Sequence, residues 1–179
     1  MATPTTLPAT FVAGAVLTAA EQNALRGAFR VLQVVSTTKT DTFSTSSTSF
    51  TDITGMSVSI TPSSSTSKIL VVSTLNGCHS PSNNDSFVRL LRGTTAISIG
   101  DTSGSRTPAT FQMQAGQTNW TITGSVIYLD SPATTSATTY KLDCRVTSNS
   151  MYINRSESDA DTAGRARTAS TITVMEISA

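Results

Sequence analysis

The sequence is poor in charge and has no long apolar run, and each shortage excludes a class of protein. Only 13% of its 179 residues are charged and the formal net charge is +1. Proteins that neutralise many phosphates show a basic excess or stripe, so nucleic acid is not expected as a partner. No apolar run approaches the roughly 20 residues that span a bilayer, and residues 1–6 lack the basic start of a secretory signal. We therefore expect neither membrane insertion nor export.

Cysteine and histidine are scarce as well, which argues against a disulfide framework. Cys144 lies on the apolar side of an alternating segment and is predicted to be a buried free thiol. Cys78 and the single histidine, His79, lie in a Gly-Cys-His-Ser stretch that is interpreted as a loop. Both are therefore predicted to be exposed.

Serine and threonine take the place of charge and are spread through every segment. Threonine is β-branched and suits a pleated, half-buried surface, whereas serine suits turns. Alternating segments recur about every ten residues, which is typical of a β-sandwich or jelly roll of about nine or ten strands. The sequence thus predicts an all-β domain, with clear strands at residues 31–36, 49–53, 56–60, 68–75, 86–92, 119–129, 139–146 and 170–177.

The strongest pattern is at residues 126–146, where two β-rich runs flank a loop. In the second run, apolar residues alternate strictly with polar ones, as in a strand with one dry and one wet face. Pro132 cannot donate to a strand ladder and ends the first run, so the segment predicts a central hairpin. The continuous apolar run at residues 69–72 predicts a central strand.

The N-terminal residues form a separate part of the predicted organisation. Thr18 and Glu21 have the spacing of a capping box, so a short helix is predicted over about residues 19–29. Leu25 and Phe29 are one turn apart and give this helix a narrow apolar stripe that it cannot bury alone. Residues 1–30 are therefore interpreted as an extended arm with a short helix, and residues 31–179 as the β-domain.

Candidate catalytic groups are few, and each has a plainer interpretation. Cys78 and His79 are adjacent, but sequence neighbours rarely reach the geometry of a nucleophile and its base. Carboxylates could serve glycoside hydrolysis only if two of them met across a cleft; the candidates are Asp85, Asp101, Asp130 and Asp143. Aromatic residues could stack on sugars, but their alternating positions favour the core: Trp120, Tyr128, Tyr140 and Tyr152. We expect neither an enzyme nor a cofactor.

An acidic stretch, residues 155–161, offers a weak candidate for a cation site. Its alternate carboxylates, Glu157, Asp159 and Asp161, could supply oxygen ligands to calcium. The stretch lacks the fixed glycine and the terminal glutamate of an EF-hand loop. Because arginines at positions 155, 165 and 167 flank it, a solvated loop with internal ion pairs is the favoured interpretation.

Several segments resemble proteins of tailed bacteriophages. Residues 7–23 resemble the "Phe, Gly, Leu-Thr-Ala, Asn" segment near the start of many phage fibre and appendage proteins. Residues 39–44, 59–63, 87–92, 128–132 and 152–156 are similar to a recurring domain in virion proteins of marine phages and cyanophages. The resemblance covers nearly the whole chain.

This resemblance implies a homotrimer on the exterior of a phage particle, assembled in the host cytoplasm. The N-terminal segment would be fixed to other virion proteins, and the apolar stripe of its helix would pack about the threefold axis of the trimer or into a socket on the particle. Its anchor residues would be Leu7, Phe11, Val12, Val16, Leu17, Leu25 and Phe29. The β-domain would face outward, with exposed tip loops that include His79, Asn83, Asn84, Arg106, Glu157, Asp159 and Asp161.

Two functional classes follow from the resemblance, with a minor third. The first is a short tail fibre whose tips contact a host surface glycan or protein. The second is a capsid decoration or head-fibre protein that binds the major capsid protein. The third, a lectin-like binding module, is disfavoured by the missing export signal. All three predict association rather than catalysis.

Overall fold

A computed structural model of the chain describes residues 30–80, 85–114 and 119–178, together with Gly14, Val16, Thr18 and Ala19. Two antiparallel sheets pack face to face as a sandwich. This confirms the predicted all-β sandwich. The predicted N-terminal helix and arm lie almost entirely outside the described residues.

The described residues contain eleven strands, rather than the nine or ten expected. They are β1 (Val31–Lys39), β2 (Phe43–Thr45), β3 (Thr51–Ile60), β4 (Lys68–Ser80), β5 (Ser86–Arg92), β6 (Thr95–Ile97), β7 (Phe111–Met113), β8 (Ile122–Asp130), β9 (Thr138–Val146), β10 (Ser150–Ile153) and β11 (Ser170–Ile177). β2 has only three residues, which is too few to show alternation. The segments predicted at 49–53 and 56–60 are one strand, β3, because Gly55, at a φ of 83°, allows a bulge between Asp52 and Ser57.

The strands divide into two sheets around β4 and β9. Sheet A has the order β1-β11-β4-β10-β2, with β8 on the other side of β4. Sheet B has the order β3-β9-β5-β6, with β7 also paired to β5. The prediction of a central strand from residues 69–72 is confirmed, since β4 pairs with three strands.

The predicted central hairpin is wrong. β8 pairs with β4 in sheet A, whereas β9 pairs with β3 and β5 in sheet B. Residues 131–137 therefore cross from one sheet to the other. Alternation identifies the faces of a strand but not its neighbours, and Pro132 ends a strand before a crossover as well as before a hairpin.

The core lies between the two sheets and is closed at one end by a polar tie. Buried apolar side chains from both sheets fill it, among them Val71, Leu75, Leu90, Leu142 and Ile172. Asp130 of sheet A is 4% exposed and accepts hydrogen bonds from Arg92 (2.9 and 3.0 Å) and from the Tyr140 hydroxyl (2.6 Å), both in sheet B. Burial, together with the bond to Asp130, raises the pKa of Tyr140. This tie fixes the two sheets to each other.

Candidate functional site

Cys78 and His79 are buried in β4, so the predictions of an exposed loop and of His79 as a tip residue are wrong. Pairing with β10 extends β4 to Ser80, beyond the apolar run from which its end was predicted. Successive side chains of a strand point to opposite faces. The Cys78 thiol faces outward and contacts the Arg155 carbonyl oxygen (3.5 Å), whereas the His79 ring faces inward, with Nε2 3.0 Å from the Ser148 carbonyl oxygen. The two therefore cannot act as a nucleophile and its base.

Two of the four candidate carboxylates are used in structural ion pairs. Asp130 belongs to the tie between the sheets. Asp143, on the outer face of sheet B, is 3% exposed and accepts two hydrogen bonds from Arg89, at 2.5 and 3.1 Å. The Arg89 guanidinium also lies over the Phe50 ring, 3.5 Å from its centroid. This cluster of Arg89, Asp143 and Phe50 holds β5, β9 and the residues before β3 together. Because Asp130 and Asp143 are both buried and paired, neither carboxylate is open to a substrate.

A long connection, residues 154–169, folds across the outer face of sheet A, and we call it the cross-sheet loop. Its start is fixed by Asn154, which is fully buried and whose side-chain nitrogen donates to the carbonyl oxygens of Lys39 (2.8 Å) and Asp41 (3.0 Å). The Asn154 side-chain oxygen accepts a hydrogen bond from the Ser170 hydroxyl (2.6 Å), which fixes the loop's end. Sequence reasoning missed this residue, because the backbone groups it binds, at Lys39 and Asp41, are more than 100 positions away.

The cross-sheet loop explains why Cys78 is buried. Arg155 lies over the Tyr152 ring (4.0 Å to its centroid), beside Cys78 on the outer side of sheet A. The Cys78 thiol is 1% exposed there, and burial raises its pKa to about 11. The loop then reaches the residues before β8, where the Ser158 amide donates to the Asn119 side-chain oxygen at 3.0 Å.

Trp120 is an exposed aromatic residue beside this contact. Its side chain is 58% exposed, so its predicted place in the core is wrong. β8 begins only at Ile122, and Asn119 has a φ of 69°, which turns the chain before the alternation begins. Of the other predicted core aromatics, Tyr140 is fully buried and Tyr128 packs against the core. The prediction for Tyr152 is wrong, because its ring lies on the outer side of sheet A beneath Arg155.

One of the three acidic residues of the cross-sheet loop, Asp159, is paired with two of its arginines. Asp159 lies 2.8 Å from the Arg167 guanidinium and 3.6 Å from that of Arg155. A hollow of about 220 Å³ is lined by residues 159–162 and 165–167. Among the described residues, no group of three or more His, Cys, Asp or Glu side chains is arranged to hold a metal ion.

Two of the predicted tip loops contact different sheets. The cross-sheet loop lies on sheet A. The loop at residues 101–108 lies on sheet B, where the Arg145 guanidinium donates to the Thr107 hydroxyl at 3.2 Å. Arg106 is exposed in that loop and donates to the Ser103 hydroxyl. Asn83 and Asn84 lie outside the described residues.

The predicted anchor is described at few positions. Val16 is 92% exposed; the other anchor residues, and Glu21 of the capping box, lie outside the described residues. Arg30 and Ser178 exchange two hydrogen bonds, of 3.0 and 3.1 Å. The N-terminal segment therefore enters the β-domain beside the end of β11.

The outer face of sheet A below the cross-sheet loop is a second candidate surface, which the sequence did not reveal. The strand registers align its side chains in three rows across β1, β11, β4 and β8. We call these residues the charge-free face: Val34, Met175, Leu70 and Leu129; Ser36, Thr173, Val72 and Ile127; and Thr38, Thr171, Thr74 and Ser125.

Within the described ranges, no helix has the length and apolar composition to cross a membrane. In comparisons with known proteins, no family model and no curated protein matches the chain.

Proposed function

We propose that the chain is a structural protein of a tailed-bacteriophage particle, in the form of a short trimeric tail fibre. Its N-terminal residues would attach to the particle, and its β-domain would face the host surface. The proposal joins the resemblance of residues 7–23 and of the later segments to the geometry of the β-domain. Its function is association rather than catalysis.

The observation that carries the proposal is the surface formed by Trp120 and the cross-sheet loop. An exposed aromatic ring beside hydrogen-bonding groups suits contact with a glycan or a protein surface. The hydrogen bonds of Asn154 and Asn119 hold the loop on the sheet, so this surface lies on a rigid scaffold. The buried carboxylates Asp130 and Asp143, by contrast, serve only to hold strands together.

The location on the particle is tested with a single reactive thiol. Cys78 and Cys144 are buried, and burial raises their pKa values to about 11 and about 12, so both react slowly with maleimide at neutral pH. Ser105→Cys places an accessible thiol in an exposed loop. Virions with this variant, labelled with maleimide-gold and imaged by electron microscopy, should carry gold at the tail, whereas wild-type virions should remain unlabelled.

The same particles provide the test of adhesion. Adding Trp120→Ala should leave the gold in place and lower adsorption to host cells about tenfold, the effect of losing one aromatic contact. Gold spread over the head would overturn the fibre and make the chain a decoration protein. Particles without gold would overturn the virion assignment altogether.

A further inference from the structure

We propose that copies of the chain meet through the charge-free face, so that the outer side of sheet A is the interface of a homotrimer. The inference rests on the proposed trimeric fibre and names the surface that makes it. The resemblance gives the contact between copies to the N-terminal residues; the structure points to the β-domain as well.

The charge-free face exposes several large apolar side chains. On β8, Ile127 is 74% and Leu129 is 54% exposed, and on β1 Val34 is 56% exposed. Leu70 and Val72 lie between them on β4 and are half-buried. Single exposed apolar residues are common on protein surfaces, but a contiguous apolar patch marks an interaction site.

The absence of charge on this face suits a second copy of the same chain. In a closed trimer the side chains close to the threefold axis face their own copies, so a charged side chain there would be repelled by the same charge on its neighbours. The three rows consist only of apolar and hydroxyl side chains. Lys68 lies at the rim, where its ammonium donates to the Ser131 hydroxyl at 2.8 Å. Hydroxyl groups both donate and accept hydrogen bonds, so the serine and threonine rows can pair with copies of themselves.

The size of the face sets the strength of the contact. Four strands about 4.8 Å apart and three rows about 7 Å apart cover roughly 20 Å by 20 Å, or about 400 Å². A standard stable interface buries about 800 Å² per partner. The face alone is therefore expected to support a reversible, concentration-dependent trimer.

The test is the mass of the full-length chain in solution, measured by sedimentation equilibrium over a range of concentrations. The wild type should approach about 56 kDa, three times 18.7 kDa, as its concentration rises. Ile127→Asp puts a carboxylate on each copy in the middle row of the contact, at its most exposed apolar side chain, and the concentration needed for assembly should rise at least about tenfold. Because Ile127 is mostly exposed in one copy, the variant should keep its β-sheet circular dichroism.

Two further variants complete the design. Ile99→Asp changes an apolar residue that is 41% exposed beyond the end of β6, on the side of sheet B, and should assemble like the wild type. Leu129→Ser removes apolar area without adding charge and should weaken assembly less than Ile127→Asp does. A monomeric wild type at all concentrations would overturn the trimer. A trimer that survives Ile127→Asp, or that Ile99→Asp disrupts equally, would overturn only the assignment of the face. The gold-labelling experiment does not depend on either result, so a failure of the proposed function is seen separately.

Discussion

The outer faces of the two sheets differ in how they treat charge. Sheet B carries ion pairs between neighbouring strands, Arg89 with Asp143 and Lys141 with Asp52, and an arginine lies over Phe50. The charge-free face of sheet A carries none of these. Its hydroxyls pair with one another across strands, as Thr74 and Thr171 do at 3.0 Å, and its apolar residues are left in water.

This difference shows that the charges of a weakly charged chain are placed selectively. On the outer face of sheet B, the buried carboxylate of Asp143 is paired with Arg89 of the neighbouring strand. Among the residues that the structure describes, the cross-sheet loop covers one part of the outer face of sheet A and leaves the charge-free face exposed. We infer that the remaining part is left for other molecules, and that the two faces will respond differently to the same kind of substitution.

The largest effect is expected from breaking the buried pair on sheet B. Arg89→Ala leaves the Asp143 carboxylate buried without its guanidinium, which should lower the free energy of unfolding by about 3 kcal/mol. Lys141→Ala is the matched control. Its partner, Asp52, is 60% exposed at the side chain, so the loss should stay below about 1 kcal/mol. Urea unfolding measures the free energy of unfolding of both variants. If the two variants lost the same amount, the buried pair would contribute no more to the stability of sheet B than the exposed pair does.

A smaller effect is expected from the single acidic residue of β11, which is turned away from the charge-free face. Glu176 is fully buried and accepts hydrogen bonds from the Ser63 amide and hydroxyl and from the Gln33 side chain, all at 2.6–2.7 Å. Burial raises the pKa of Glu176, but these hydrogen bonds outweigh it and hold the pKa below its usual value. Glu176→Gln should cost about 1.5 kcal/mol at pH 7, the value of a hydrogen bond to a charged group.

The sign of the pH dependence follows from the lowered pKa of Glu176. A carboxyl whose pKa is depressed on folding stabilises the protein above its unfolded pKa, and this contribution is lost as pH falls through the folded pKa. The difference in unfolding free energy between wild type and Glu176→Gln should therefore be constant near pH 7 and shrink below about pH 4.5. If this difference in unfolding free energy does not change with pH, the charge of Glu176 does not contribute to stability.

The smallest effect is expected from protein concentration. If the charge-free face joins three copies, a tenfold rise in concentration should stabilise each subunit by about 0.9 kcal/mol. That corresponds to an increase in Tm of about 2–4 °C for a domain of this size. In Leu129→Ser the increase should be smaller, because less apolar area is buried. If the Tm of the wild type does not depend on protein concentration, the charge-free face does not join copies of the chain. The outer faces of the two sheets would then differ in composition but not in function.

The sequence predicted individual strands well but not their arrangement. The bounds of β5 and β11 were predicted to the residue. β11 alternates in sequence, and the ends of β5 are marked by the polar residues 83–85 before it and by Gly93 after it. The partners of β8 and β9, the burial of Cys78 and the place of Asn154 all depend on residues far away in the chain. The charge-free face was missed for the same reason. Its rows exist only once four separate strands are in register, whereas each strand alone shows ordinary threonines and valines.

The hydrogen bonds between Arg30 and Ser178 have a mechanical consequence. β1 and β11 run antiparallel and are paired from Val31 with Ile177 to Lys39 with Ser170. The start of β1 and the end of β11 therefore lie side by side, where the N-terminal segment joins the domain. Tension on the residues before Arg30, with the far end of the domain held, would pull β1 along its own length. The hydrogen bonds between β1 and β11 would then be loaded together in shear, rather than breaking one at a time as they do when a strand is peeled away. A fibre tethered in this way would resist withdrawal from its host through the full length of β1.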